Sequence, residues 1–143
     1  MKEPSRAREF IKRCWSDEMR KTIEEIASED GRYSAEALKF VYEGLGATIR
    51  KTKEADDEDQ PRHITGAEFS RGLARLAIER WGRLSRMVLN QWGVRTTRDL
   101  GEIVYLMINQ KWMTAQETDT IEDFDNVYNF EDVFEKQFKF NLQ

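Results

Sequence analysis

The stretch RHITGAEFSRGLARLAIERWGRLSRMVLNQWG, residues 62–93, decides the fold because it contains the clearest helix start in the chain. Thr65 and Glu68 have the Thr-x-x-Glu spacing of a capping box, in which each side chain bonds the other residue's backbone N–H. Ile64 and Phe69 are placed as the hydrophobic staple that accompanies such a box. A helix is therefore predicted to begin directly after Thr65.

Apolar residues continue from this start at helical spacing, on one broad arc when residues are placed at about 100° steps. Trp81-Gly82 has the form of a helix end, and Trp92-Gly93 has the same form. The pattern predicts two helices that meet at Gly82 and share one buried face. The members of that face are Phe69, Leu73, Leu76, Ala77, Trp81, Leu84, Met87, Val88 and Trp92.

Further helices are predicted on both sides of this stretch. Residues 5–29 have an amphipathic pattern that ends at Gly31. Ser34 is a favourable N-cap for the next helix, in which close packing against another helix is expected to compensate for Gly44 and Gly46. Thr96 and Asp99 begin a helix that is apolar on most sides, which predicts a central, buried position.

Two other segments connect or extend these helices. Residues 51–61, KTKEADDEDQP, carry a run of acids and a closing proline, which predicts a mobile, solvated loop. Five of the eight phenylalanines lie in residues 124–140. Since a solvated tail gains nothing from these side chains, most of the segment is expected to dock on the core. The prediction is a mainly α, single compact domain over residues 1–143, with about five or six helices and a small β element or a pinned loop near residues 111–114.

Composition narrows the class and the compartment. No apolar run approaches the roughly 18 residues that span a bilayer, so no membrane partner is expected. The chain has one cysteine, Cys14, which excludes an internal disulfide, and the charged start MKEPSRAREFIKRC does not have the form of a secretory signal. A cytoplasmic location is predicted.

Charge is unevenly distributed along the chain. Residues 61–98 contain eight arginines and two acids, whereas residues 99–143 contain three lysines and ten acids. The favoured interpretation is internal complementarity, with the acidic part packed beside the arginines. The alternative is a surface that binds nucleic acid through phosphate contacts. Its candidate residues are Arg71, Arg75, Arg83 and Arg86.

Residues that carry chemistry are few. His63 is the only histidine, and it lies directly before a helix cap, where a local hydrogen bond is the expected role. Cys14 beside Trp15 is expected to be a structural thiol. The acids Glu117, Asp119, Glu122, Asp123 and Asp125 have the chemistry to bind a divalent ion. Because acids are also favoured at helix starts, the pattern does not assign a metal or a cofactor, and no catalytic residue is assigned.

The four segments RYSAEALKFVYEGLGATI, HITGAEFSRGLARLAIERWG, VLNQWGVRTTRDLGEIVYLMI and ETDTIEDFDNVYNFEDVF carry a resemblance to a known group of sequences. They resemble a family of short conserved hypothetical proteins restricted largely to planctomycetes and verrucomicrobia. The likeness covers about residues 20–135. It implies a cytoplasmic bacterial domain, and because the family has no assigned activity, it transfers no site residue.

These observations favour a non-enzymatic, protein-binding or interaction module, with a homodimer as one form of partner. Nucleic-acid binding by the arginine face of 71–86 is the first alternative. A metal-assisted enzyme that uses the acidic cluster 117–125 is the second, and it requires those acids to converge with His63 or Glu102. If Glu102 is buried, we expect it to pair with an arginine from 71–98.

Overall fold

Five α-helices make up most of the described chain, which comprises residues 21–56, 64–115 and 119–136 of the computed structural model, the side chains of 51–56 excepted. Short 3-10 turns lie at Gly82–Leu84 and Ile121–Phe124, and a π-helical turn lies at Asp132–Lys136. The prediction of a mainly α fold is confirmed. The helices are α1 (Ile23–Asp30), α2 (Ala35–Asp56), α3 (Gly66–Trp81), α4 (Ser85–Gln91) and α5 (Thr97–Asn109).

Threonine capping boxes begin three of these helices. The boxes at Thr65 and Thr96 confirm the predicted starts of α3 and α5. The box at Thr22 was not predicted, although Thr-Ile-Glu-Glu has the required spacing. The backbone of Thr22 is extended, so the prediction of one continuous helix over 5–29 is wrong: α1 begins after Thr22. Residues 1–20, which include Cys14, lie outside the described part of the chain.

The predictions for two connecting segments are each wrong in part. Helix α2 continues to Asp56, so the first part of the predicted 51–61 loop is helical, and residues 57–61 lie outside the described ranges. The lysines and glutamate at 51–54 are good helix formers, which outweighs the acidic character of the segment. Near residues 111–114 the chain makes a turn with Lys111 at φ 70°, and the described ranges contain no strand, so the β element is wrong. The alternative, a pinned loop, is confirmed, because the Trp112 indole N–H donates to the Lys21 carbonyl at 2.9 Å and the ring meets Tyr42 edge to face.

The core forms where α2 crosses α3 at close range. A Cβ atom at Gly44 would collide with Leu73, and one at Gly72 would collide with Thr48. Close packing was predicted at both Gly44 and Gly46, and it is confirmed at Gly44 and wrong at Gly46. Gly46 lies in open surroundings, since a Cβ there would meet only Arg50 Nη1 at 3.7 Å. Helix α5 packs on this pair through its buried apolar residues, Leu100, Ile103, Val104 and Met107.

Two glycines, Gly66 and Gly101, leave a space between α3 and α5 that Phe124 fills, and we call this pair the glycine notch. Gly66 at the start of α3 and Gly101 in α5 face the ring of Phe124. Phe124 belongs to the acidic turn, our name for residues 120–125, whose backbone bonds to α5: Thr97 Oγ1 donates to the Phe124 carbonyl at 2.6 Å. Thr97 also accepts from the Val127 N–H at 3.2 Å. The turn is thereby fixed against two helices.

The segment after the acidic turn docks on the core, as predicted from its phenylalanines. Phe130 and Phe134 are buried and in edge-to-face contact, with ring centroids 5.1 Å apart. The Tyr128 hydroxyl donates to the Ser70 carbonyl at 2.8 Å. Phe138 and Phe140 lie outside the described residues.

Candidate functional site

Two large apolar side chains remain exposed at the corner between α3 and α4. Leu84 and Met87 are each 55% exposed. They are three residues apart across the start of α4, so they lie on the same side of the chain. Arg83, beside Leu84, is also exposed. We call Arg83, Leu84 and Met87 the corner patch.

The corner under this patch is held by buried hydrogen bonds. Ser85 is fully buried, and its hydroxyl lies 3.0 Å from the Ala77 carbonyl and 2.7 Å from the Gly82 carbonyl. These bonds tie the first turn of α4 to the end of α3. Gly82 itself has φ 55° and ψ −126°, a backbone conformation that glycine adopts most readily. The patch therefore stands on a fixed backbone.

An aromatic cluster supports the same corner from beneath. The rings of Trp81 and Trp92 meet edge to face with centroids 5.3 Å apart, and Phe40 of α2 lies 5.2 Å from Trp81. Both tryptophans are half-buried. Arg80 covers this cluster, with its guanidinium 5.9 Å from the Phe40 ring and 2.9 Å from the Glu43 carboxylate. The tryptophans therefore serve packing, and the exposed apolar surface is that of Leu84 and Met87.

Sequence reasoning placed Leu84 and Met87 on the buried arc, and this is wrong. The prediction assumed that the rotation of about 100° per residue continues unchanged through Gly82. The break at Gly82 and the 3-10 turn that follows change this angle, because a 3-10 helix has three residues per turn instead of 3.6. The signal was present in the sequence, since Gly82 was predicted to separate two helices.

The arginines that were candidates for phosphate contact have different environments. Arg71, Arg75 and Arg83 are exposed, and none of them takes part in an ion pair among the described residues. Arg86 is only partly exposed, and its Nη1 lies 2.9 Å from Glu135 Oε1. Three of the four candidates therefore face solvent, and the fourth is neutralised by the acidic C-terminal segment.

A chain of ion pairs joins α5 to the loop between α1 and α2 and to the acidic turn. Arg98 Nε lies 3.0 Å from Glu102 Oε2, and its Nη1 lies 2.9 Å from Asp125 Oδ1. Arg32 extends the chain, with contacts of 3.2 Å to Glu102 and 3.0 Å to Asp30. Arg98, and then Arg32, hold the pKa of Glu102 below its ordinary value. Glu102 is only partly buried, so the condition attached to its expected pairing is not met, although its partner Arg98 lies in the expected range 71–98.

The acidic cluster 117–125 does not gather around one point in the described residues. Asp123 completes the cap of its own turn, with Oδ2 accepting from the Thr120 N–H at 3.2 Å. Asp125 is used by Arg98, and Glu122 is exposed. Glu117 and His63 lie outside the described ranges. Among the residues that are described, no group of three potential metal ligands is present.

An apolar pocket opens beside the acidic turn. We use this name for the pocket between α2, the start of α3, α5 and residues 113–115 and 119–124. Its cavity volume is about 60 Å³. That is less than half of the ~150 Å³ of an apolar cavity that holds benzene, so the enclosed space suits one aliphatic side chain. The side chains that form its apolar surface are Leu45, Ile49, Phe69, Val104, Ile108 and Phe124.

The rim of this pocket is negatively charged. Asp119 and Asp123 line it, and its described lining residues include no basic side chain. The effect of these acids is seen at Tyr105, which also lines the pocket. Burial raises the pKa of its hydroxyl, and the nearby carboxylates of Asp119, Asp123 and Glu122 raise this pKa further. The pocket thus combines an apolar interior with an acidic edge. Sequence reasoning missed it because its walls come from four separated segments.

No protein-family model matches this chain, and the searches of curated proteins and of solved structures likewise give no match. Within the described residues, each helix is too short or too polar to span a bilayer. The resemblance drawn from the sequence stays a prediction.

Proposed function

We propose that this chain is a non-enzymatic protein-interaction module that docks its partner on the corner patch. The observation that carries the proposal is the exposure of Leu84 and Met87, 55% each, on a backbone that buried hydrogen bonds hold in place. Water contact with two such side chains is unfavourable, and a partner that covers them gains that free energy. Exposed apolar groups with charged neighbours are typical of interaction sites.

The composition of the patch agrees with this role. Methionine is unbranched and adapts to different partner surfaces. Arginine is enriched at protein interfaces, and Arg83 is free of ion pairs within the described ranges. A partner segment with apolar and acidic side chains complements both properties.

The test is an affinity capture from native lysate with three forms of the chain. The wild type, the double variant Leu84→Ser with Met87→Ser, and the control Arg95→Ser carry the same tag. Arg95 is exposed and outside the patch, and its side chain forms no ion pair with described residues. We expect one or more proteins to be retained by the wild type and the control, and at least about tenfold less by the patch variant, the loss that 1.4 kcal/mol of binding free energy gives.

Equal recovery with the patch variant would overturn the corner patch as the docking surface. Failure to retain any protein above the level of unloaded resin would overturn the interaction module itself. Substituting two exposed side chains is expected to change folding stability by no more than about 0.5 kcal/mol, so a folding defect does not complicate the comparison.

Nucleic-acid binding is the second candidate, and it is favoured by the exposure of Arg71, Arg75 and Arg83 without ion pairs in the described part of the chain. It predicts that affinity for a duplex falls steeply between about 50 and 200 mM salt. The variant Arg71→Gln with Arg75→Gln is expected to weaken this binding, whereas Leu84→Ser is not. Affinity that does not depend on salt would exclude this candidate.

The metal-assisted enzyme remains the weakest of the three proposals, because Asp123 and Asp125 already have structural partners. A cytoplasmic location stays a prediction. It rests on the single cysteine and on the resemblance described above.

A further inference from the structure

The corner patch and the apolar pocket lie at opposite ends of α3. The helix begins at Gly66, which lines the pocket, and ends at Trp81, two residues before Arg83. A helix of 16 residues is roughly 24 Å long. One molecule therefore presents both surfaces at once, and its own patch does not reach its own pocket.

The two surfaces are complementary in polarity and in charge. The patch offers two aliphatic side chains, Leu84 and Met87, beside one positive charge at Arg83. The pocket offers an apolar interior of about 60 Å³ beside the negative charge of Asp123, and Glu122 is the next acidic residue in the chain. Glu122 and Asp123 form none of the ion pairs in the described part of the chain, and the same holds for Arg83. An arginine at the rim and an apolar side chain inside would satisfy both surfaces.

We propose that the corner patch of one copy of this chain docks into the apolar pocket of a second copy, so that the copies associate head to tail. This proposal rests on the function proposed above, and it names the partner of the corner patch. Met87 or Leu84 enters the pocket, and Arg83 lies against the acidic rim. The size of the cavity, which suits a single side chain, limits the insertion to one of the two.

The symmetry of such an interface has a distinct consequence. The contact joins two different surfaces, so each added copy leaves one patch and one pocket unused at the two ends. Unless the geometry closes a ring, assembly continues past the dimer as concentration rises. Because the contact is small, the expected dissociation constant is in the weak range, about 10 μM to 1 mM.

Sedimentation velocity and light scattering over about 10–500 μM protein test the association directly. The weight-average mass of the wild type is expected to rise steadily with concentration, and to rise less in 0.5 M salt, which shortens the Debye length to about 4 Å. Arg83→Glu is expected to weaken association roughly threefold to tenfold, as loss and reversal of an exposed ion pair predict. The matched control Arg95→Glu is expected to behave as the wild type.

Two single-surface variants separate head-to-tail docking from a symmetric dimer. The patch variant is Leu84→Ser with Met87→Ser. The pocket variant is Ala115→Trp with Glu122→Lys. The tryptophan fills the rim from an exposed position, and the lysine reverses the charge next to Asp123. Each variant alone is expected to be monomeric. Their equimolar mixture is expected to form one-to-one dimers that do not grow further, since one intact patch meets one intact pocket.

Each outcome decides the proposal. A wild type that stays monomeric up to about 500 μM overturns it, and so does a mixture that stays monomeric while the wild type associates. A pocket variant that associates by itself also overturns it, since that result indicates a symmetric contact between patches. The proposed function is judged separately. If the chain is monomeric but the wild type captures another protein and the patch variant does not, the head-to-tail inference fails and the interaction module stands.

Discussion

At the residue scale, Gly101 has the least room of the glycines that face the acidic turn. A Cβ atom there would lie 2.7 Å from both Cβ and Cγ of Phe124. These atoms are close to the Phe124 backbone, which Thr97 holds, so they have little freedom to move aside. We predict that Gly101→Ala lowers the free energy of unfolding by about 1–3 kcal/mol, as overpacking typically does. Denaturant unfolding followed by circular dichroism measures this change.

Gly46→Ala is the matched control, since both glycines lie inside helices. The surroundings of Gly46 are open, with Arg50 Nη1 at 3.7 Å as the only neighbour of an added Cβ. Alanine is favoured over glycine in a helix by up to about 1 kcal/mol, so this variant is expected to be as stable as the wild type or more stable. Similar losses at both positions would contradict a specific role for the notch.

Thr97 allows the hydrogen bonds of the acidic turn to be tested without a change of shape. Its side chain is 1% exposed and bonds both the Phe124 carbonyl and the Val127 N–H. Thr97→Val removes the hydroxyl and leaves the buried Phe124 carbonyl and the partly buried Val127 N–H without this partner. It is predicted to cost about 1–3 kcal/mol of unfolding free energy. Thr120→Val, an exposed threonine of the same turn, is the comparison and is expected to cost less.

At the element scale, the ion-pair chain that runs from Asp30 to Asp125 connects the α1–α2 loop, α5 and the acidic turn. The pKa of Glu102 is lower in the folded chain than its ordinary value of 4.5, chiefly because of Arg98. The resulting stabilisation is present above about pH 4.5 and is lost as the pH falls through the folded pKa. Asp30, whose pKa Arg32 lowers, contributes in the same direction.

Glu102→Gln is therefore predicted to reduce the difference between the unfolding free energies at pH 7 and pH 3, by about 1 kcal/mol at most for pairs that water partly screens. Thermal or denaturant unfolding across this pH range measures it. Glu79→Gln, an exposed position outside the ion pairs of the described chain, serves as the control. If both variants keep the full pH dependence of the wild type, the ion-pair chain does not contribute.

Elements whose signals are local were predictable from the sequence. The starts at Thr65 and Thr96 follow from residues three apart, and the ends at Gly82 and Gly93 follow from single glycines with positive φ. The exposure of Leu84 and Met87 was not predictable in this way, because it depends on the angle between two helices across Gly82. The pocket was missed for a related reason: its walls meet only after α2, α3 and α5 have packed.

At the scale of the whole molecule, the segment from Tyr128 to Phe134 is part of the core. Phe134 is fully buried, and the described chain places it against Tyr128 and Phe130. The clustering of phenylalanines allowed this docking to be predicted, since so much apolar surface is not stable in water. The uneven charge distribution indicated that the acidic part packs beside arginines, as Arg86 and Glu135 do. The sequence did not indicate the glycine notch.

Phe134→Ala tests how far the stability of the molecule depends on this segment. The variant is predicted to lose about 3–5 kcal/mol of unfolding free energy, the typical result of removing a buried phenylalanine. Met87→Ala, at an exposed apolar position, is expected to change stability by no more than about 0.5 kcal/mol. A small effect at Phe134 would show that the segment is only loosely attached.

The position of the glycine notch in the chain also has a consequence for biosynthesis. Gly66 and Gly101 are translated before Phe124, the residue that fills the space between them. Domains fold as synthesis proceeds, and apolar surface that is exposed before the rest of the core has been synthesised is prone to aggregation. On the ribosome, α3 and α5 therefore expose this gap until the acidic turn has left the exit tunnel. A chain that ends between residues 109 and 124 would lack Phe124 and would present an incomplete core to chaperones and proteases.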